Sequence, residues 1–147
     1  MKPGVVTGSR YRELVAAAKA GRYALPAVNV VGSHSLNATL EAAAAARSDV
    51  IIQLSNGGAQ FWAGKGLADV ANAKVLGAVS AALHTHLLAE HYGVCVVLHT
   101  DHADRKHVAW VDGMMAWNER HFEATGSPLY SSHMLDLSAE PIEQNLA

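Results

Sequence analysis

The chain has 147 residues, a formal net charge of −2 and one cysteine. That length corresponds to about one domain, long enough to bury a real core. A near-neutral charge with no basic stripe argues against nucleic-acid binding, a single thiol excludes an intramolecular disulfide framework, and no run approaches the roughly 20 apolar residues of a membrane helix.

The N-terminus, Met1-Lys2-Pro3-Gly4, lacks the apolar stretch of a signal peptide, so a cytoplasmic protein is expected. Residues 9–20 read as a helix, with Tyr11, Leu14, Val15 and Ala18 on one stripe and Gly21 placed to end it. Residues 24–31 read as a strand in which Asn29 is the odd polar residue. Its side chain is either a buried amide satisfied by backbone or a substrate contact. A helix follows over 35–47, with Leu36, Leu40, Ala43 and Ala44 on its apolar face, and then a strand over 49–55. Alternating strands and helices with short connections imply parallel strands and right-handed crossovers.

Residues 55–66, Ser-Asn-Gly-Gly-Ala-Gln-Phe-Trp-Ala-Gly-Lys-Gly, read as a glycine-rich loop after that strand. Such a loop can bring backbone N–H groups to an anion, but its spacing matches neither the P-loop nor the dinucleotide fingerprint. Residues 70–91 read as a long helix. His84 and His86 lie about 200° apart on it, so they cannot share one metal from a regular helix. The run Val94 to Leu98 is a short apolar stretch, as in a strand buried on both faces, and it ends in His99-Thr100-Asp101-His102. Cys95 falls inside this strand. Residues 105–125 read as a helix carrying Trp110 and Trp117 on one side. Residues 129–136 read as a fourth strand, and a helix is expected from Ser138 onward. No linker or repeat divides the chain.

In a parallel α/β array the strand ends lie on one face. They carry Asn29, Ser55, Asp101, His102 and Asp136. Titratable side chains gathered at such ends are where chemistry is expected. An imidazole and carboxylates are natural ligands for a divalent metal such as zinc, but a catalytic zinc usually takes three protein ligands and this set is short of that. The nine histidines of the chain invite a metal without proving one.

Four stretches resemble the class II, metal-dependent fructose-bisphosphate aldolases. They are Ala-Leu-Pro-Ala-Val-Asn-Val at 24–30, Ser-Asn-Gly-Gly-Ala at 55–59 with Gly-Lys-Gly at 64–66, Leu-His-Thr-Asp-His at 98–102, and Pro-Leu-Tyr-Ser-Ser-His-Met-Leu-Asp-Leu-Ser at 128–138. Their order and spacing also agree. The resemblance implies a (β/α)₈ barrel and reversible cleavage of fructose 1,6-bisphosphate to dihydroxyacetone phosphate and glyceraldehyde 3-phosphate. It implies His102 as a zinc ligand, Asp136 as a carboxylate near the metal, Asp101 as the acid/base at the C4 oxygen, Ser55 at a substrate phosphate and Asn29 in the substrate pocket. It also implies a homodimer for the full-length family protein. Tagatose-bisphosphate cleavage is the alternative activity. A non-enzymatic half-barrel binding module is the alternative from another class.

Several residues depart from the family pattern: Gln60, Trp62, Cys95 where proline is frequent, Ala103 where cysteine is frequent, and a shortening around 68–73. The larger departure is length, because such barrels need ~250 residues. Residues 1–147 are therefore expected to form the N-terminal part of one barrel domain, about the first four β/α units behind an N-terminal helix. The other zinc ligands and the main phosphate loops are expected beyond residue 147. The chain alone is expected to be inactive and prone to self-association.

Overall fold

The computed structural model describes residues 1–145. The element order is β1 (Gly4–Val5), α1 (Gly8–Gly21), β2 (Ala27–Asn29), α2 (Ser33–Ala46), β3 (Val50–Leu54), α3 (Asn56–Ala63), α4 (Val70–Tyr92), β4 (Cys95–Ala103), a 3₁₀ turn (Arg105–His107), α5 (Val108–Thr125), β5 (Ser132–Leu135) and α6 (Ile142–Asn145). The helix expected from Ser138 is thus confined to Ile142–Asn145 among the described residues, and its last two positions lie outside them.

All five strands are parallel in one sheet. β2 pairs β3 and β3 pairs β4. The other edge of β4 is shared by β1, opposite Cys95 and Val96, and β5, opposite His99 to Ala103. Ser131 joins the two: its Oγ accepts the Leu98 N–H at 2.9 Å and donates to the Val6 carbonyl at 2.7 Å. The sequence pattern did not show β1, because two residues are too few to display a period. Gly4 has φ +114°, a conformation that only glycine takes without strain.

Strand parity builds two cores. Val94 and, on β4, Val96 and Leu98 pack with Ile52 and Leu54 of β3 and with the helices α2, α4 and α5. Cys95 and Val97 point the other way and pack with Val6, Leu14, Tyr11, Leu25 and Ile51, so that α1 covers the start of that face. Cys95 is buried, and its N–H donates to Asp49 Oδ1 at 3.2 Å, a bond that proline at this position could not make. β4 runs on through Ala103, so the polar stretch 99–102 is still strand. β2 has no strand on its second edge among the described residues. An apolar cleft of about 430 Å³ opens beside it, between Pro26, Val28 and Val50 and the small residues of α2. Asn29, on the other face of β2, is exposed rather than buried.

The glycine-rich segment is not a loop. Residues 56–63 form α3, capped by Ser55, whose Oγ accepts the Gly58 N–H at 3.0 Å. Of the glycines here, Gly58 serves close packing. A Cβ on Gly58 would lie 3.1 Å from Ser55 Oγ and 3.3 Å from the Val30 carbonyl oxygen. On α4, a Cβ on Gly77 would lie 1.8 Å from the Ala59 carbonyl oxygen. α3 and α4 therefore meet backbone to backbone. Gly77→Ala is expected to destabilise the chain by about 3 kcal/mol or more, as overpacking against a backbone that cannot yield. Urea denaturation checks this, and a midpoint equal to that of the parent chain would exclude the close approach.

Candidate active site

The face of β4 that carries Cys95 and Val97 continues with His99 and Asp101. Beside them, in register, stand Asn29 on β2, Gln53 on β3 and Ser132 on β5. Asn29 Nδ2 donates to Asp101 Oδ2 at 2.8 Å, and Gln53 Nε2 reaches Asp101 Oδ1 at 3.4 Å. Three adjacent strands thus hold one carboxylate. His102 lies with Nε2 3.7 Å from Asp101 Oδ1 and Nδ1 2.6 Å from Asp136 Oδ2. Asp136 follows β5, where its N–H still donates to the Ala103 carbonyl, and its Oδ1 accepts the Ser138 N–H at 3.0 Å.

The charges support one another. Bonds from Ser138, and then from His102, hold the Asp136 carboxyl down at about 2. The bond to Asp136, and then the charge of Asp101, push the His102 imidazole up from its ordinary value. With Nδ1–H given to Asp136, Nε2 presents its lone pair on the side of Asp101. His99 is different. Its Nδ1 meets Ser132 Oγ at 2.8 Å, and burial lowers its pKa, so it stays neutral and oriented.

Four of the five residues singled out in the sequence come together: Asn29, Asp101, His102 and Asp136. Ser55 ends the neighbouring strand β3 but bonds none of them. Its oxygen serves the α3 cap, and its O–H is left as a donor. Gln53, His99 and Ser132 were missed. Gln53 was legible in principle, as a polar residue at the inward parity of an apolar strand. His84 and His86 separate as expected: His84 Nε2 contacts Asn37 Oδ1, and His86 Nε2 contacts the Leu129 carbonyl.

A carboxylate on one imidazole nitrogen with the other left open is the usual arrangement around a metal-binding histidine. The donor chemistry of His102 fits a divalent ion in that respect. The set is incomplete, since no group of three or more His, Cys, Asp or Glu side chains is arranged to hold an ion among the described residues.

Residues 9–147 match the family described as fructose-bisphosphate aldolase class-II. The chain belongs to that family. It is 53% identical to the class 2 fructose-bisphosphate aldolase of Escherichia coli (strain K12) over 148 residues, which is 99% of this chain and 41% of the relative. It is 46% identical to the fructose-bisphosphate aldolase of Borreliella burgdorferi, again over 99% of this chain and 41% of that protein. A crystal structure of the Campylobacter jejuni fructose-bisphosphate aldolase superposes with a TM-score of 0.94 at 53% identity, covering 99% of this chain and 42% of that one. The chain thus spans about two fifths of the length of the curated relatives it matches, and its parallel-strand α/β fold matches that of the aldolase structure.

Behind this aldolase strand array lies His133, facing the helices. Its Nδ1 meets Thr100 Oγ1 at 3.0 Å, its ring stacks on Tyr130 at 5.1 Å, and its Nε2 is buried with no hydrogen-bond partner among the described residues. Burial, and then the charge of His99, lower its pKa to about 4. The unfolded chain therefore takes up this proton first, at about pH 6.5. Stability contributed by neutral His133 is present above that value and is lost as pH falls from 6.5 toward 4. The expected loss is about 2 kcal/mol, discounted because the ring is partly exposed. His133→Phe should flatten this part of the pH dependence in urea titrations between pH 7 and 4. An unchanged slope would remove the assignment.

Proposed function

We propose that this chain supplies one wall of the catalytic site of a zinc-dependent fructose-bisphosphate aldolase, acting on a phosphorylated sugar in glycolysis and gluconeogenesis. The observation that carries the reading is the placement of Asp101. Its carboxylate is fixed by Asn29 and Gln53 at the C-terminal end of β4, beside an imidazole oriented by Asp136. In this reading residues 1–147 are the N-terminal part of a single barrel domain. No helix of the described residues is long and apolar enough to cross a membrane.

The reaction assigned is reversible cleavage of the C3–C4 bond of fructose 1,6-bisphosphate. Asp101 takes the proton from the C4 hydroxyl as the bond breaks and returns it during condensation. A general base held in place by two amide donors keeps its lone pairs aimed at the reacting oxygen. Asn29 lines the substrate pocket while fixing Asp101. Ser55, with its O–H free, donates to the phosphate at the aldehyde end, next to the N-terminal turn of α3. His102 offers Nε2 as one ligand, and Asp136 fixes its ring and raises its basicity. A zinc ion bound there supplies Lewis-acid polarisation of the substrate ketone. The homodimer of full-length family members is part of the same proposal.

The test is a chimera in which residues 1–147 replace the matching segment of the Escherichia coli relative. It is expected to cleave fructose 1,6-bisphosphate in a metal-dependent manner. Asp101→Ala in that chimera is expected to lower kcat by about 10²–10⁴-fold, the usual scale of a lost acid/base, and His102→Ala to weaken metal retention. A folded chimera whose Asp101→Ala variant turns over at the parent rate would sink the assignment. Tagatose 1,6-bisphosphate, assayed in parallel, decides the sugar.

Among its described residues the chain holds no group of three or more His, Cys, Asp or Glu side chains placed to bind an ion, too few for turnover. Its open β2 edge and the apolar cleft beside it favour self-association. Purified alone, it is expected to show no aldolase activity and to elute above monomer size in size-exclusion chromatography. Zinc-dependent cleavage at a rate comparable with the relatives would contradict this.

A further inference from the structure

The longest helix, α4, carries no aspartate, glutamate, lysine or arginine from Val75 to Ala89. A surface helix ordinarily has a charged side turned to water, and one without it is covered all round. The inner face of α4 is covered: Gly77, Ala78, Ala81, Ala82 and Thr85 are buried. α2, α3 and α5 pack against the helix, and β1 and β4 contact it. With those neighbours in place, Leu83 is still 41% exposed and Leu87 71%.

These two leucines belong to a stripe, Leu76, Ser80, Leu83 and Leu87, that lines one outward cleft. Steps of four, three and four residues make the narrow seam by which one helix lies lengthwise on another. The stripe is also complementary to itself. Laid against a copy running the opposite way, about an axis between Ser80 and Leu83, each Leu76 meets the other Leu87 and each Ser80 meets the other Leu83. Small then opposes large at the centre.

The surroundings suit such a contact. Clefts of about 510 and 520 Å³ flank the seam and share Ser80 and His84. Trp117 borders the first, and Phe61 and Trp62 border the second. The polar groups between them are already paired within the chain. Ser80 Oγ accepts the Trp62 indole N–H at 3.1 Å, and His84 Nε2 meets Asn37 Oδ1 at 2.9 Å.

Charge decides the occupant. In a two-fold contact the same patch meets itself, so charges near the axis face like charges. Neither cleft is lined by an acid, a lysine or an arginine, so the face accepts its own copy and offers a charged partner nothing to pair with. A seam ~17 Å long with aromatic flanks falls at the lower end of the ~1,200–2,000 Å² interface class, which corresponds to a micromolar pair.

We propose that the outward face of α4 is a dimer interface between two copies of this chain, with the two helices antiparallel about an axis between Ser80 and Leu83. The surface includes none of Asn29, Asp101, His102 and Asp136. Its test reads no activity, so it can fail while the aldolase reading stands, and the reverse.

The 147-residue chain has one cysteine, Cys95, which is buried, so an introduced thiol is the accessible one. Leu76→Cys chains and Leu87→Cys chains are mixed and mildly oxidised. A disulfide joining the two kinds of chain is expected. Neither kind should link to itself, because like positions lie ~17 Å apart along the antiparallel pair and a disulfide needs Cα atoms within ~7 Å. Sedimentation equilibrium is run in an Ala27→Lys background, where a lysine on the exposed β2 edge suppresses association through that strand. The dimer should persist there. Adding Leu83→Glu and Leu87→Glu, both at exposed positions, should raise its Kd about a hundredfold or more, with the helical circular dichroism unchanged. Should that variant lose its helical signal, the cysteine pair decides alone. The proposal is overturned by an Ala27→Lys chain that stays monomeric through the micromolar range, which would leave the stripe to another segment or protein. Like-with-like disulfides in place of the mixed one, or a folded glutamate variant that pairs like its parent, would overturn it too.

Discussion

Everything in this chain hangs on β4. It pairs with three strands, β3 along one edge and β1 then β5 along the other. Its apolar half is buried on both faces, so register is tightly specified: a slip of one residue would turn Val96 and Leu98 out of one core and Cys95 and Val97 out of the other. Because the strand does not stop at Leu98, the same register that packs Val97 also sets Asp101 between Asn29 and Gln53. Core packing and site geometry are one constraint here, expressed at two ends of one strand.

The polar end shows how a carboxylate and an imidazole are held without being buried. Asp136 draws its hydrogen bonds from Ser138 and His102, while His102 gains its charge preference from Asp136 and Asp101. Each group is fixed by a neighbour on another element. The cluster is therefore preorganised before any ligand arrives, which is what makes such groups effective. In contrast, the histidines facing the helices, His86 and His133, are kept neutral by burial. The chain uses one residue type in two opposite electrostatic settings, set by burial and by neighbouring carboxylates.

Small residues explain the helical layer. Alanine dominates α2 and much of α4, and glycine sits where α3 meets α4. These allow backbones to approach closely and leave the helices little side-chain bulk of their own. The same economy leaves shallow clefts between helix starts, one of which is lined by Lys74 and Lys106. Where no further strand covers β2, it also leaves the alanine face of α2 in contact with solvent.

The sequence by itself determined the alternation of strands and helices, the parallel order, the buried centre at 94–98 and the set of polar strand ends, because hydrophobic period and sharp turns are local signals. It also carried the family, through motifs whose residues are read one by one. It misread 55–66 as a loop. Four glycines look like flexibility, but the Ser55 cap and the close approach of Gly77 to Ala59 make 56–63 a packed helix, while 64–66 remain a turn. It missed β1, whose two residues gain strand geometry only from the edge of β4. It named Asp101 and His102 but not Gln53, His99 or Ser132, since parity gives a side chain's face but only the register between strands decides which residues stand beside Asp101. Only the tertiary structure decided that Asn29 is exposed and bonded to Asp101, and that His133 meets Thr100 while its Nε2 is buried without a partner among the described residues. Each of these depends on contacts between residues far apart in the chain, and distance along the sequence carries no record of them.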